Sequence, residues 1–179
     1  MAGGKNRSGS IARPDLFTCG RRPAGLTLQI RQMTFDDIPA VHEIDLLSFT
    51  LPWPERSFGF ELWGNPVSRC WVAEKDGRIA AMLVLWFIID EAHVATIAVH
   101  PDFRRQGIGE QVLLHALRAA REEGARRAFL EVREGNVAAQ SMYKKYGFEV
   151  AGVRPRYYKD SNEDAILMNL ENMDCLEAA

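Results

Sequence analysis

Apolar residues along the chain either alternate with polar ones or recur every three to four positions. Alternation, or a short continuous apolar run, predicts seven strands, at residues 26–33, 70–74, 78–89, 92–100, 127–132, 148–153 and 164–170. The helical spacing predicts four helices, at residues 35–51, 54–63, 111–123 and 136–146. The chain is therefore expected to fold as an α/β protein.

The order of these segments predicts how the strands pair. Asp76-Gly77 is a strong hairpin turn, because both residues tolerate positive φ, so the strands on either side of it should pair antiparallel. The strand, helix, strand order between residues 92 and 132 implies a right-handed crossover and a parallel pair. The last two strands are expected to form a hairpin. The predicted fold is a mixed α+β sheet of about seven strands flanked by four helices.

Composition favours one globular domain. The chain has 179 residues, of which 47% are hydrophobic, which is enough for one closed core and too little for a second full domain. No apolar run reaches the roughly 18 to 20 residues that cross a bilayer, and the polar N-terminus lacks the apolar region of a secretory signal. We therefore expect a cytoplasmic protein with no membrane partner.

Charge separates an N-terminal leader from the domain. Residues 1–25 carry a net charge of +4 in a chain whose total is −2, which leaves −6 for the remainder. We predict a disordered leader at residues 1–25, a folded domain at residues 26–171 and a C-terminal tail at residues 172–179. The acidic domain argues against direct nucleic-acid binding, and the leader lacks the interleaved aromatic residues typical of such binding.

The cysteines and histidines give no sign of a metal site. Cys19, Cys70 and Cys175 are far apart, and no two of them form a C-x-x-C pair. The four histidines form no H-x-x-x-H pair with a nearby acid. We expect free thiols and no bound metal.

A glycine-containing loop, Arg104-Arg105-Gln106-Gly107-Ile108-Gly109, lies between a predicted strand and a predicted helix. Its glycines let several backbone N–H groups point outward, and the helix dipole and the arginines add positive charge, so a pyrophosphate is a suitable ligand. An ordinary helix entry with solvated arginines explains the loop equally well. A P-loop and a dinucleotide-binding loop are excluded, because the Lys-Ser/Thr pair and the required glycine spacing are absent.

The loop resembles the cofactor motif of the GNAT superfamily of N-acetyltransferases, in which Arg104, Gly107 and Gly109 occupy the motif positions. The superfamily's second signature follows downstream, in Asn136, Ala139, Tyr143, Gly147 and Phe148. The resemblance covers roughly residues 30–170 and implies the GNAT fold, with acetyl-CoA as co-substrate. It also implies the cofactor contacts, which are the backbone of Ile97, Ala98 and Val99, the loop residues Arg104, Arg105, Gln106, Gly107, Ile108, Gly109 and Glu110, and the side chains of Asn136 and Tyr143.

Within the superfamily, the chain is most similar to the bacterial ribosomal-protein alanine N-acetyltransferases. The similarity lies in segments such as Pro52-Trp53, Leu130-Glu131-Val132-Arg133 and Arg156-Tyr157-Tyr158. It implies that the acceptor is a protein N-terminal α-amine, namely the N-terminal alanine of a ribosomal protein.

Glu131 is the predicted general base. Leu130 and Val132 face one side of their strand and Glu131 faces the other, and a strand in a parallel pair should have both faces covered. A carboxylate in that place is either a salt-bridged or half-exposed glutamate or a functional one. An α-amino group has a pKa of about 8, so a base must take its proton before or during attack, and Glu131 can do so through a water.

Tyr143 is the predicted general acid, because the motif places its phenol where it can protonate the departing coenzyme A thiolate. A tyrosine at helical spacing also packs in many cores, as Tyr146 is expected to do. The amine attacks the thioester directly, so no cysteine nucleophile is needed.

Three aromatic residues, Trp53, Tyr157 and Tyr158, are candidate walls of a peptide-binding groove, although packing at the domain edge explains them equally well. His93 is a weaker candidate for substrate contact or proton removal. Two other functions stay open here, namely acetylation of a small amine (a polyamine, an amino acid or an aminoglycoside) and non-catalytic binding of acyl-CoA. The presence of both Glu131 and Tyr143 favours an enzyme.

Overall fold

The computed structural model describes residues 28–177, which form one seven-stranded mixed sheet flanked by four helices. The leader predicted at residues 1–25 lies outside the described residues. The strands are β1 (Leu28–Gln32), β2 (Ser68–Lys75), β3 (Arg78–Ile88), β4 (Glu91–Val99), β5 (Arg127–Arg133), β6 (Glu149–Tyr158) and β7 (Glu163–Leu170). The helices are α1 (Ile38–Ser48), α2 (Glu55–Trp63), α3 (Ile108–Glu122) and α4 (Val137–Lys145).

The strands lie in the order β1-β2-β3-β4-β5-β7-β6, and every neighbouring pair is antiparallel except β4 and β5. The predicted hairpin turn is confirmed, with Asp76 at φ 54° and Gly77 at φ 76°. The parallel pair of β4 and β5, which α3 connects, is also confirmed, as is the hairpin of β6 and β7. This order places the parallel pair in the middle of the sheet.

Two elements differ from the predicted bounds. α3 begins at Ile108, three residues before the predicted start, because Gly107 adopts φ 72° and turns the chain directly into the helix. β6 runs on to Tyr158 rather than ending at residue 153. It can do so because Pro155 lies in an irregular stretch of an exposed edge strand, where no ladder hydrogen bond from its nitrogen is required.

The two faces of the sheet are covered differently. α3 packs its apolar stripe on one face, where Tyr143 of α4 and Tyr146, just after that helix, join the same core. α1 and α2 pack on the other face, where Val41, Ile44 and Phe58 join a core with residues of β2, β3 and β4. Within residues 28–177, no residue of β5, β6 or β7 belongs to that second core. The faces of β5 and β7 on the α1 side are therefore open to a cavity.

The segment after β7, which we expected to begin a tail, packs onto the domain. A 3₁₀ helix (Met173–Glu177) buries Met173 and Leu176, which are each 1% exposed. Both side chains belong to the core on the α3 side, and Arg118 of α3 donates a hydrogen bond to the Leu176 carbonyl at 3.2 Å. The folded unit therefore extends past residue 171.

Candidate active site

β4 and β5 separate partway along their length. They pair only from Glu91 to Val94 of β4, and Ala95 is then an extra residue that forms a bulge against β3. The separation opens a cavity of about 880 Å³ lined by both strands. The expectation that both faces of β5 are covered was wrong, because Phe129 and Glu131 border this cavity instead of a packed layer.

The predicted anion loop follows directly on β4. A 3₁₀ turn (Pro101–Phe103) leads into it, Arg105 and Gly107 adopt positive φ, and α3 begins immediately afterwards. The backbone N–H groups of the first turn of a helix have no partner within that helix, and they lie at the positive end of its dipole. This geometry suits an anionic ligand.

Most side chains of the loop bind other parts of the protein. Arg104 donates from Nε to the Val99 carbonyl at 3.0 Å and from Nη2 to the Ser48 hydroxyl at 3.1 Å, so it joins the end of β4 to the end of α1. Gln106 accepts a hydrogen bond from Lys75 Nζ at 2.5 Å. Both arginines are exposed, but Arg105 is not held by such contacts among the described residues, so of the two it is the better placed for a phosphate.

Glu110 connects the start of α3 to the end of α4. Its Oε1 accepts a hydrogen bond from Lys145 Nζ at 2.5 Å and another from the Tyr146 hydroxyl. These contacts, with Lys145 as the larger influence, lower the pKa of Glu110. Tyr146 is buried as expected, but its hydroxyl also fixes the position of α4, which packing alone did not predict.

The cavity brings together the predicted catalytic and substrate-binding residues and two further predicted cofactor contacts, Ile97 and Asn136. Those that line it are Trp53, His93, Ile97, Glu131, Asn136, Tyr143, Tyr157 and Tyr158. Ala98 does not line it, because its side chain is buried in the core on the α1 side. Residues 104–110 also lie outside it, at the end of β4, where Val99 contacts Gly109. The backbone of β4 therefore connects the anion loop to the cavity.

Glu131 is salt-bridged. Its Oε1 lies 2.5 Å from Nη1 of Arg154, and its side chain is 30% exposed. A hydrogen bond to Glu131, together with burial, raises the pKa of the Tyr157 phenol. The salt-bridged alternative considered from the sequence is thus present, but the pair lies on the cavity and both partners line it. Glu131 remains a candidate base.

Tyr143 and Asn136 lie at opposite ends of α4 on the same cavity. Tyr143 is 4% exposed and packs against Phe148, with ring centroids 5.9 Å apart. Burial, with a smaller influence of Tyr158, raises the pKa of the Tyr143 phenol, so this phenol keeps its proton at neutral pH. Asn136 caps α4 by accepting a hydrogen bond from the Ala139 N–H at 3.2 Å.

Arg133 connects the two loops that border the cavity. Its guanidinium lies 2.8 Å from Asp160 and 3.2 Å from Glu163 at the β6–β7 turn, and it donates to the Thr50 hydroxyl after α1 at 3.3 Å. Its guanidinium carbon is also 4.0 Å from the centroid of the Tyr158 ring. The sequence did not predict this role, because the hydrogen-bond partners lie 27 to 83 positions away in the chain.

Asp45 is fully buried beside the cavity, a position that sequence reasoning also missed. Its Oδ2 accepts a hydrogen bond from the Trp53 N–H at 2.6 Å, whereas Oδ1 has no hydrogen-bond partner among the described residues. Burial raises the pKa of this carboxyl, and the Trp53 N–H opposes that effect. The available signal is spacing, since Asp45 follows Val41 by one turn and so falls on the apolar face of α1.

His93 lies on the same cavity in a defined setting. Its Nε2 is 2.9 Å from Glu91 Oε2, and its ring stacks on Phe129 with centroids 5.0 Å apart. The ring is therefore held in place beside the open face of β5. Contact with a substrate stays a prediction for this residue.

The thiols lie away from the cavity. Cys70 is buried and Cys175 is exposed, both are free, and Cys19 falls outside the described residues. The part of the chain from residue 28 to residue 177 has no group of three or more His, Cys, Asp or Glu side chains that could hold a metal ion. In the same part, no helix is both long and apolar enough to cross a membrane.

Residues 38–148 match a protein family described as the acetyltransferase (GNAT) family. The matched range contains the anion loop, Glu131 and the whole of α4, so it includes both predicted signatures. The match therefore spans the parts of α1, β4, β5 and α4 that line the cavity, whereas the lining residues of β6 and β7 lie beyond it.

Relatives of known name are similar over most of their length. A Bacillus subtilis (strain 168) protein, provisionally named a ribosomal protein bS18-alanine N-acetyltransferase, is 42% identical over 139 residues, covering 78% of this chain and 92% of that protein. The ribosomal protein bS18-alanine N-acetyltransferase of Escherichia coli (strain K12) is 34% identical over 143 residues, covering 79% of this chain and 95% of that protein. The crystal structure of the ribosomal-protein-S18-alanine N-acetyltransferase from Escherichia coli superposes with a TM-score of 0.75 at 33% identity, covering 80% of this chain and 93% of that one.

Proposed function

The chain belongs to the GNAT family of acetyltransferases and is an acetyl-transferring enzyme, and we propose that it acetylates the α-amine of an N-terminal alanine on a ribosomal protein, with acetyl-CoA as donor. The observation that carries the proposal is the cavity between β4 and β5, which holds Glu131 and Tyr143 together. The names of the relatives support the choice of acceptor.

The donor fits the end of β4 and the start of α3. Acetyl-CoA supplies an acetyl thioester on a long arm that carries amides and a pyrophosphate. Residues 95–99 of β4 have no β5 partner within the described chain, so the backbone of Ile97, Ala98 and Val99 can bind the amides as an added strand would. The N–H groups at the start of α3, together with Arg105, would hold the pyrophosphate. Gly109 has no side chain, so the narrow gap between the start of α3 and Val99 at the end of β4 stays open.

The acceptor amine must lose a proton before it can attack. An α-ammonium has a pKa of about 8, so most of it is protonated at neutral pH. Glu131 lies on the cavity, and its carboxylate can accept that proton through a water. The amine is then a nucleophile for the acetyl carbonyl.

The departing sulfur needs a proton in return. Tyr143 shares the cavity with Glu131, and its phenol is protonated at neutral pH because burial raises its pKa. Tyr143 therefore donates its proton to the sulfur, and the newly acylated nitrogen gives its remaining extra proton to the resulting phenolate, which restores Tyr143. Glu131 releases the first amine proton to solvent. No acyl-enzyme is required, because the two substrates react directly when they are held together.

The acceptor N-terminus fits between two fixed aromatic walls. Trp53 borders the cavity from the α1 side, where Asp45 holds its backbone, and Tyr158 borders it from β6, where Arg133 lies over its ring. Fixed aromatic side chains with a polar edge suit a short peptide segment. A polyamine, by contrast, needs several accessible carboxylates, whereas Glu131 is paired with Arg154.

Turnover with acetyl-CoA and three classes of acceptor tests this proposal. The acceptors are a peptide that begins with alanine, the same peptide with a blocked N-terminus, and small amines, namely a polyamine, free alanine and an aminoglycoside. We expect acetylation of the free peptide alone. Turnover with a small amine but not with the peptide would overturn the acceptor. Binding of acetyl-CoA without turnover of any acceptor would instead show a non-catalytic binding module.

The assigned base is tested in the same assay. Glu131→Gln keeps the size of the side chain but removes the proton acceptor, so we expect kcat to fall on the order of a hundredfold. Glu134→Gln is the matched control, because Glu134 is exposed in the turn after β5. A loss of less than about tenfold for Glu131→Gln would exclude Glu131 as the general base.

A further inference from the structure

Arg154 crosses the open face of the sheet to reach Glu131. The two residues are on β6 and β5, which are separated by β7, yet Arg154 Nη1 lies 2.5 Å from Glu131 Oε1. The guanidinium carbon of Arg154 is 5.6 Å from the centroid of the Tyr157 ring. Both partners of the ion pair line the cavity. The contact is therefore part of the cavity surface and not of a core.

The fold gains little from such a pair. The Arg154 side chain is 54% exposed, and ion pairs at that exposure contribute little to the free energy of unfolding. For a general base, however, a neighbouring cation matters because it restricts where the carboxylate oxygens point.

Arg154 is the cation that acts on Glu131. The other titratable groups on the cavity are Asp45 from α1, His93 from β4, Arg133 from β5, Tyr143 from α4, and Tyr157 and Tyr158 from β6. β7 places an uncharged residue, Leu167, opposite Glu131. Arg133 is the remaining permanent cation among these lining residues, and it is bound to Asp160 and Glu163.

We propose that Arg154 is a positioning residue that keeps the Glu131 carboxylate directed at the acceptor amine. This inference rests on the proposed function, in which Glu131 removes a proton from that amine. Arg154 itself touches neither the amine nor the thioester. Its effect should appear in the rate of the reaction rather than in substrate affinity.

The test compares Arg154→Gln and Arg154→Lys with the wild type, using an alanine peptide at saturating acetyl-CoA. For Arg154→Gln we expect kcat at neutral pH to fall by roughly tenfold or more, since misplacing a group by about 1 Å can cost up to a hundredfold. The KM for peptide should stay within about twofold. Arg154→Lys should recover most of the lost kcat, because it restores a cation that can hold the carboxylate.

Arg156→Gln is the matched control, since it removes an exposed arginine from the same strand. It should change neither kcat nor the KM for peptide. A raised KM for Arg154→Gln, with kcat unchanged, would show that Arg154 binds the acceptor instead. No kinetic change at all would show a surface ion pair without a role in catalysis. Thermal unfolding of each variant shows that the fold is retained.

A double variant separates this inference from the function on which it rests. If Arg154 acts through Glu131, adding Arg154→Gln to Glu131→Gln should lower kcat by less than about twofold more. A further loss as large as that of Arg154→Gln alone would overturn the positioning role while leaving peptide acetylation intact. Failure of the wild-type enzyme to acetylate any peptide would instead overturn the proposed function.

Discussion

Gly109 in the first turn of α3 lies against Val99 at the end of β4 so closely that a Cβ on Gly109 would be 3.0 Å from Val99 Cγ2. The contact sets the distance between the helix start and the strand edge that together form the proposed donor site. Gly107, two residues earlier, contributes in a different way, through a positive φ of 72°. The two motif glycines therefore meet separate requirements, one steric and one conformational.

Gly109→Val should weaken donor binding. The branched side chain overlaps Val99, and overpacking of this kind costs about 1–3 kcal/mol. The overlap displaces the helix start that forms the donor site, and each 1.4 kcal/mol lost from donor binding lowers the affinity about tenfold. We expect the dissociation constant for CoA, measured by calorimetry, to rise by about tenfold, and Gly109→Ala to have a smaller effect because Val99 can yield by a few tenths of an ångström. Gly59→Val in α2 is the control, since the nearest atom to its added Cβ is 3.9 Å away. Unchanged CoA affinity in Gly109→Val would argue against a donor site at this helix start.

Tyr143→Phe should lower kcat with little change in either KM. Phenylalanine keeps the packing against Phe148 but cannot give a proton to the sulfur, so we expect a loss on the order of a hundredfold. Tyr146→Phe is matched to it, because Tyr146 is a second buried tyrosine at the end of α4 and its hydroxyl binds Glu110. Steady-state kinetics with varied acetyl-CoA and peptide give kcat and both KM values for each variant, and so distinguish the role of one tyrosine from that of the other. Equal losses in both variants would exclude Tyr143 as the specific proton donor.

Sequence order predicted the main features of the fold. The hairpin turn at Asp76-Gly77 and the crossover through α3 follow from local patterns, and both are confirmed. The bulge at Ala95 was not predicted, because alanine has no turn signal and the bulge exists only in relation to β3. The local pattern alone therefore did not predict the separation of β4 and β5, although the resemblance implied that the backbone of Ile97, Ala98 and Val99 would be free to bind the cofactor.

The candidate site was also predicted from the sequence only in part. Asn136 and Tyr143 were selected by a motif with fixed spacing, and the structure places both on one cavity with Glu131. Arg154 was missed, because its contact with Glu131 depends on how three strands align and not on a local pattern. A motif thus identifies residues near the chemistry, whereas the charges that hold them come from distant parts of the chain.

Arg133→Lys should weaken acceptor binding more than donor binding. Lysine cannot reproduce the planar fork that binds Asp160 and Glu163 while lying over Tyr158, so the loops on either side of the cavity lose a shared anchor. We expect the KM for peptide to rise by about tenfold, as for loss of roughly 1.4 kcal/mol, with CoA affinity unchanged. Arg69→Lys replaces an arginine paired with Glu123, at a position that does not line the cavity, and should change neither. An equal rise in the CoA dissociation constant of Arg133→Lys would point to general unfolding of the site.

Asp45→Asn should remove a pH dependence of stability. Burial raises the pKa of Asp45 above its ordinary value of 3.8, so the folded protein holds this proton more tightly than the unfolded chain does. The free energy of unfolding contributed by Asp45 is therefore greatest below pH 3.8, and it falls as pH rises through the window between 3.8 and the raised folded-state value. Asparagine still offers an oxygen to the Trp53 N–H but carries no proton to lose, so the stability of this variant relative to wild type should increase across that window.

Urea unfolding of wild type and Asp45→Asn, from about pH 4 to pH 7, measures this difference directly. Asp45→Ala serves as the comparison, because it leaves the Trp53 N–H without its acceptor and should cost about 1–3 kcal/mol at every pH in the series. Parallel pH profiles for wild type and Asp45→Asn would mean that the buried carboxyl does not titrate in this range. A loss of stability in Asp45→Asn that grows with pH would mean that the fold favours the ionised carboxylate of Asp45. Replacing that carboxylate would then cost most at high pH, where the ionised form is most populated.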